Sequence, residues 1–224
     1  MFGAGADLLA AEGALRLRTK GRSCKNPSRE IFGARLPRVV SVQKTLMLEQ
    51  ITPLIITFNE APNIKRTIDK LLWSQRIVVV DSGSTDETTE IVGSYRQVEI
   101  IHHKFESFAN QCNFGLSQIA SPWVLSLDAD YELSDELVEE LKELGPSDQI
   151  SGYRARFVYR IHGKPLRGTL YPARVVLYRP SRGSYRNEGH GHRVMINGEL
   201  RELRGVIYLS LIHISEPTRQ AEIS

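Results

Sequence analysis

Two aspartates one residue apart, Asp128 and Asp130, close the apolar stretch "WVLSLDAD". Burying charge is costly, so a run that ends this way must meet water at its acidic end. In an extended segment residues i and i+2 point the same way, roughly 6.6 Å apart at about 3.3 Å per residue. Two hard oxygen donors at that spacing suit Mg²⁺ or Mn²⁺ shared with a diphosphate, because these ions combine one or two protein carboxylates with phosphate oxygens and waters. Asn59 and Glu60 follow the run "LIITF", and Asp81 follows "RIVVV", in equivalent positions. Each has a plainer alternative. Asn59 or Glu60 can cap a helix beginning near Pro62, Phe58 can be a core aromatic, and Asp81 can solvate a strand end. Further on, Glu188, His190 and His192 form a polar cluster in "RNEGHGHR". A zinc centre would need a third well-spaced ligand on a fixed scaffold, and none is evident.

The elements that must position these groups alternate. "LIITF" reads as a strand, followed by a helix over "PNIKRTIDKLLW" with Ile64, Ile68, Leu71 and Leu72 on one face. "RIVVVD" is a second strand, and Ser84 with Glu87 suggests a capping box for a helix reaching about Tyr95. "VEIIHH" is a third strand, "SFANQCNFGLSQI" a helix and "WVLSLD" a fourth strand. This pattern predicts an α/β fold with a doubly wound, mostly parallel sheet flanked by helices, whose ligands gather beyond the carboxyl ends of the strands. "GYRARFVYRI" then alternates as a half-exposed strand and "ARVVLYR" forms another. Lys164 and Arg174 there are candidate phosphate contacts, with solvated strand charges as the plainer reading.

The motifs "ITFNEAPNI", "VVVDSGSTDET" and "WVLSLDADYEL", in that order, resemble the family 2 glycosyltransferases of GT-A fold, in particular the branch that glucosylates lipopolysaccharide cores. The resemblance covers about Ile51 to Tyr208. It implies that Phe58, Asn59, Glu60 and Asp81 hold the nucleotide, that Asp128 touches ribose or metal, and that Asp130 binds Mg²⁺ or Mn²⁺. It also implies an inverting, metal-dependent transfer of a hexose from a nucleotide diphosphate sugar to a saccharide or lipid-linked acceptor. Glu188 is the preferred catalytic base, and His190 or His192 could instead complete the metal site. Two departures stand out: Cys112 occupies a position where many relatives carry a basic residue, and Arg193 follows His192 where a His-Glu pair is common. The competing reading is an inactive nucleotide-sugar-binding fragment. A nucleotidyltransferase would want a Gly-rich phosphate loop near the N-terminus, which "ITFNEAPNI" lacks.

Composition bounds the rest. The 224 residues, 41% hydrophobic and 25% charged, fit one globular domain with tails. The net charge of +3 is assigned to the Arg- and Lys-rich leader, leaving the remainder near neutral, so nucleic acid is not an expected partner. Cys24 and Cys112 form no metal or disulfide pattern. No run approaches the roughly 20 apolar residues of a membrane span, and no signal peptide is evident. A cytoplasmic location follows, with peripheral association at the inner face of the membrane. Residues 1–46 are expected to be a disordered or weakly structured leader with Met47 as an alternative start. Residues 47–208 are the expected domain. Residues 209–224 resemble translated adapter read-through, a non-native tail that would leave the domain truncated at its C-terminus.

Overall fold

The computed structural model describes residues 48–145, 147–161, 164–166, 171–188 and 191–210, with the backbone alone at 161, 191, 192 and 210. The leader, Met47, His190, the side chain of His192 and the tail beyond Ser210 lie outside the described residues.

Three strand–helix units open the fold. They are β1 (Ile51–Thr57) with α1 (Ala61–Asp69), β2 (Ile77–Asp81) with α2 (Thr88–Gly93), and β3 (Val98–His102) with α3 (Phe108–Ser117), and β4 (Trp123–Asp128) follows them. These strands pair in parallel in the order β3-β2-β1-β4. Cover on both faces explains why β2 is buried along its whole length. The second half comprises β5 (Tyr131–Leu133), α4 (Asp135–Glu143), β6 (Ile150–Ile161), β7 (Lys164–Pro165), β8 (Arg174–Tyr178), β9 (Gly183–Glu188), β10 (Gly191–Ile196) and β11 (Glu199–Ser210). The sheet continues from β4 through β8, β6 and β11 to β5, with β7 on β6, while β9 and β10 form a separate hairpin.

The fold is α/β as expected, and most paired residues of the sheet lie in parallel ladders, with the antiparallel pairings in its second half. β4/β8, β6/β8, β6/β7 and β5/β11 are antiparallel, and β6/β11 is parallel. Parallel neighbours need long crossovers, usually helical, and no α-helix follows α4 among the described residues.

Local chemistry sets the helix ends. Ile64 and Ile68 of α1 are buried, yet the helix stops at Asp69. Tight turns follow, with Leu71 N–H bonded to Ile68 and Ser74 N–H to Leu71. Leu71 therefore still reaches the core, whereas Leu72 leaves the expected apolar face and is 52% exposed. The expected capping box does not form. The Ser84 hydroxyl donates to Asp81, and α2 starts only at Thr88, whose N–H is taken by Asp86. Ser107 caps α3 and Ser134 caps α4. Ser134 also accepts from Val206 N–H, and the Glu140 carboxylate accepts from the N–H groups of Arg204 and Gly205. This ties α4 to the irregular stretch of β11, where a Cβ on Gly205 would lie 2.4 Å from the Leu137 Cα.

One sheet face packs under α1, α2 and α4 through Ile64, Ile68, Val92, Leu137 and Leu141. The other packs under α3 and the hairpin through Ala109, Cys112 and Tyr185. β11 runs past the expected domain end at Tyr208. Leu209 is buried and pairs with Tyr131 and Tyr159. Leu209 and Ser210, the first two residues of the expected non-native tail, thus lie in β11, Leu209 between β5 and β6 and Ser210 beside Arg160 of β6.

Candidate functional site

The parallel register aligns the carboxyl ends of β1 to β4 on one rim. Thr57 pairs with Asp81, Asp81 with His102, and Ile56 with Asp128. The pleat then separates the two aspartates. Asp81 shares the face of Val79 and Thr57, under α1 and α2, whereas Asp128 follows Ser126 on the face of α3 and the hairpin.

Asp81 is fully buried, and its carboxylate gathers the second loop around itself. It accepts from the N–H groups of Gly83 at 2.9 Å and Ser84 at 3.0 Å and from the Ser84 hydroxyl, and His102 Nδ1 lies 3.1 Å away. Four such contacts fill the acceptor capacity of a carboxylate. The neighbouring Thr57 hydroxyl is buried without a hydrogen-bond partner among the described residues. Asn59 adopts φ 54°, a left-handed conformation that asparagine tolerates. Its N–H donates to Ser84 Oγ and its Oδ1 accepts from Thr85 N–H. Glu60 occupies the N-cap position of α1 without a capping side-chain bond. It accepts instead from Asn63 Nδ2 at 2.7 Å, and its N–H donates to Thr88. Phe58 is 54% exposed, so it is not a core aromatic. The first and second loops are thereby knitted into one frame that presents Phe58 at its edge.

Asp128 ends β4, but Asp130 lies in the turn before β5 rather than in a continuing extended segment. The strand spacing inferred from sequence therefore does not apply. Ala129 between them is buried, and its carbonyl accepts from the Thr67 hydroxyl at 2.7 Å, which anchors the turn to α1. The two carboxylates share neighbours. Burial, followed by the charge of Asp128, holds the Tyr131 phenol well above its ordinary range, and Asp130 adds to this. Burial also raises Tyr171, with the same two aspartates contributing. Among the described residues no group of three or more His, Cys, Asp or Glu side chains could hold a metal ion. The donor set fits a cation shared with a ligand's oxygens and water, as Mg²⁺ prefers, and not an all-protein cage.

A cavity of about 510 Å³ at this rim lies between the main sheet and the β9–β10 hairpin. Asp128, Tyr131 and Glu188 line it, together with Arg154, Arg174 and Arg193. It therefore unites Asp128 with Glu188 but leaves out Phe58, Asn59, Glu60, Asp81, Asp130 and Lys164. A smaller cavity beside Leu48, Trp73 and Glu143 sits at the far end of β1 and holds none of the expected residues. The hairpin is located by Asn113, whose side chain donates to the Tyr185 carbonyl at 3.0 Å and accepts from its N–H at 2.8 Å. Asn187 accepts from Ala109 N–H, and the Tyr185 hydroxyl meets those of Ser126 and Tyr178. Arg193 pairs with Glu188 at 2.8 Å. Arg174 stacks over Tyr171, its guanidinium carbon 4.3 Å from the ring centre. Cys112, on the sheet-facing side of α3, is buried, and burial pushes its thiol up. Sequence reasoning missed Arg154 as a site residue, because in the sequence it is one of several charges on an alternating strand.

Residues 53–179 match the family described as Glycosyl transferase family 2. The chain belongs to this family. It is 39% identical over 113 residues to the lipopolysaccharide core biosynthesis glycosyltransferase LpsC of Rhizobium meliloti, a match covering 48% of this chain and 42% of that protein. It is 29% identical over 171 residues to an uncharacterized glycosyltransferase of Rickettsia conorii, covering 73% of this chain and 60% of the relative. The chain thus spans about half the length of these curated relatives. Among solved structures it is similar to residues 1–349 of S. aureus TarS in complex with UDP-GlcNAc. That similarity has a TM-score of 0.50 and 17% identity over 71% of this chain and 58% of the other. It shows the GT-A glycosyltransferase fold. Among the described residues no helix is long and apolar enough to cross a membrane.

Proposed function

We propose that this chain carries an inverting transfer of a hexose from a nucleotide diphosphate sugar to a saccharide or lipid-linked acceptor, in the synthesis of lipopolysaccharide or another cell-envelope glycan. The observation that carries this reading is the single cavity that holds Asp128 at one wall and Glu188 at the other. Membership in the family, the similarity to LpsC and the UDP-GlcNAc held by TarS support it.

In this reading Phe58, Asn59 and Glu60 receive the nucleotide at the knitted frame. Asp81 acts there by holding the second loop, since its acceptor positions are already filled. Glu188 takes the proton of the acceptor hydroxyl. The new bond from that oxygen to the anomeric carbon forms as the bond to the diphosphate breaks, and the diphosphate leaves with the electron pair. A single displacement of this kind inverts the anomeric centre. Arg193 orients the Glu188 carboxylate. Asp128 and Asp130 would hold Mg²⁺ or Mn²⁺, which supplies positive charge for the departing diphosphate. The anomeric carbon belongs between the two walls of the cavity. The test is a donor screen: nucleoside diphosphate release from a panel of nucleotide sugars, with and without Mn²⁺. Release from one donor class in the presence of Mn²⁺ supports the reading, and no release from any donor, with or without an acceptor extract, removes it.

A further inference from the structure

The run "WVLSLD" of β4 carries one polar residue before its closing aspartate, Ser126. It faces α3 and the hairpin, lines the cavity and stands two residues before Asp128. Its hydroxyl lies 2.7 Å from that of Tyr185 in β9, which also accepts from the Tyr178 hydroxyl of β8 at 3.1 Å. Both tyrosines are buried. A buried hydroxyl without a partner is costly, so the three depend on one another. Burial pushes both phenols up, and they stay protonated across the working pH range.

The Ser126–Tyr185 bond joins elements of unequal stiffness. β4 pairs with β1 along its whole length and with β8 on its other side, so the sheet holds Asp128 independently of the hairpin. Among the described residues the β9–β10 hairpin pairs with no strand of the main sheet, and a two-stranded hairpin alone is marginal. Asn113 of α3 holds its backbone, but α3 carries neither wall residue. The Ser126–Tyr185 bond runs directly from the strand of Asp128 to the strand of Glu188. Ser126 stands about 6.6 Å along β4 from Asp128, and Tyr185 about 10 Å along β9 from Glu188. A slip at Tyr185 is therefore carried to the Glu188 carboxylate while Asp128 stays in place.

We infer that the Ser126 and Tyr185 hydroxyls form a latch that sets the distance between Asp128 and Glu188 across the cavity, which makes both of them positioning residues for transfer. The inference rests on the transferase reading above and deepens it. The test compares the full chain with its Ser126→Ala, Ser126→Thr and Tyr185→Phe variants. Calorimetry measures binding of uridine diphosphate with Mn²⁺. Nucleoside diphosphate release, without and with the acceptor active for the wild type, measures donor hydrolysis and transfer. Hydrogen exchange follows the amides of Arg186 to Glu188. Ser126→Ala and Tyr185→Phe should lose transfer at saturating substrates by about 10- to 100-fold, since misplacing a reacting group by about 1 Å can cost about 100-fold. Hydrolysis should fall less, because a water can adjust to a displaced base and a bound acceptor hydroxyl cannot. Uridine diphosphate affinity should stay unchanged, and the hairpin amides should exchange faster. Ser126→Thr keeps the hydroxyl and should keep transfer. Equal loss of transfer and hydrolysis, or loss of uridine diphosphate binding, overturns the inference by assigning Ser126 to the donor. Wild-type transfer by folded Ser126→Ala and Tyr185→Phe overturns it by reducing the hydroxyls to partners within the core. A loss in Ser126→Thr as large as in Ser126→Ala overturns it too. Should the wild type release nucleoside diphosphate from no donor, the transferase reading falls and exchange alone decides the latch: faster exchange keeps it, and unchanged exchange overturns it.

Discussion

Replacing Asn113 by alanine should separate folding from function at the hairpin. Its side chain pairs with both backbone groups of Tyr185, as a neighbouring strand would, and Tyr185 stands three residues before Glu188. A net hydrogen bond contributes about 0.5 to 1.5 kcal/mol. Because Asn113 itself is exposed, water can replace part of the loss, and the low end applies, about 1 to 2 kcal/mol for the pair. For a domain of this size that lowers the melting midpoint by about 2 to 8 °C. The effect on transfer should be larger, because misplacing a reacting group by about 1 Å can cost about 100-fold. Calorimetry gives the midpoint, and initial rates at a temperature where both proteins are folded give the activity. Asn113→Asp keeps the acceptor for Tyr185 N–H but loses the donor to its carbonyl, so it should fall between wild type and alanine. A variant that melts within 1 °C of wild type and transfers at the same rate would refute the clamp. A rate loss that only tracks the unfolded fraction would refute its positioning role.

Gly205→Ala should lower the melting midpoint through a stability loss of about 1 to 3 kcal/mol, because the new methyl meets the Leu137 backbone and neither α4 nor β11 can yield; a midpoint unchanged in thermal denaturation would show that β11 relaxes. Asp81→Asn, which disturbs four contacts around a buried carboxylate, should weaken uridine binding with and without Mn²⁺, measured calorimetrically; loss confined to the metal-containing titration would move Asp81 from the nucleotide frame to the metal. Asp130→Asn should abolish the metal-dependent part of uridine diphosphate binding at unchanged melting temperature, since the residue lies in a rim turn. Burial raises Asp86, but hydrogen bonds from the Thr88 hydroxyl and the N–H groups of Thr88 and Ala61 outweigh it and hold the carboxyl below its ordinary 3.8. A depressed folded-state pKa contributes stability that is present above that ordinary value and lost as pH falls through the folded one. Asp86→Asn should therefore flatten the stability profile below about pH 4, and an identical acid limb in both proteins would contradict the assignment.

The parallel half of the sheet was legible because each strand is a short apolar run ended by a polar or acidic residue, as in Ile77–Asp81 and Trp123–Asp128. Periodicity located α1 but not its end. Leu72 continues the helical spacing in sequence, while the tight turns after Asp69 rotate it into solvent. Ser84 has the right spacing for a cap, but the buried Asp81 carboxylate competes for its hydroxyl and wins. Asp128 was placed correctly at a strand end. The direction of Asp130 was not legible, because nothing in "DAD" signals that the chain turns at Ala129. The hairpin carrying Glu188 escaped notice, since "GSYRNEGHGHRV" shows weak alternation and depends on Asn113, distant in sequence, for its seat. The segregation of charge was hidden for a different reason: the excess of acids in residues 48–149 and the excess of Arg and Lys from Gly152 to Arg204 cancel when summed over the chain.

The central claim is that one cavity brings Asp128 and Glu188 to the same reaction. It is tested most directly by following transfer and donor hydrolysis together, with the nucleotide sugar and acceptor found active for the wild type, in Asp128→Asn and Glu188→Gln. The account predicts that Asp128→Asn loses both reactions, while Glu188→Gln keeps donor binding and loses transfer by at least about 100-fold. Transfer by Glu188→Gln at the wild-type rate, in a folded protein, would contradict it.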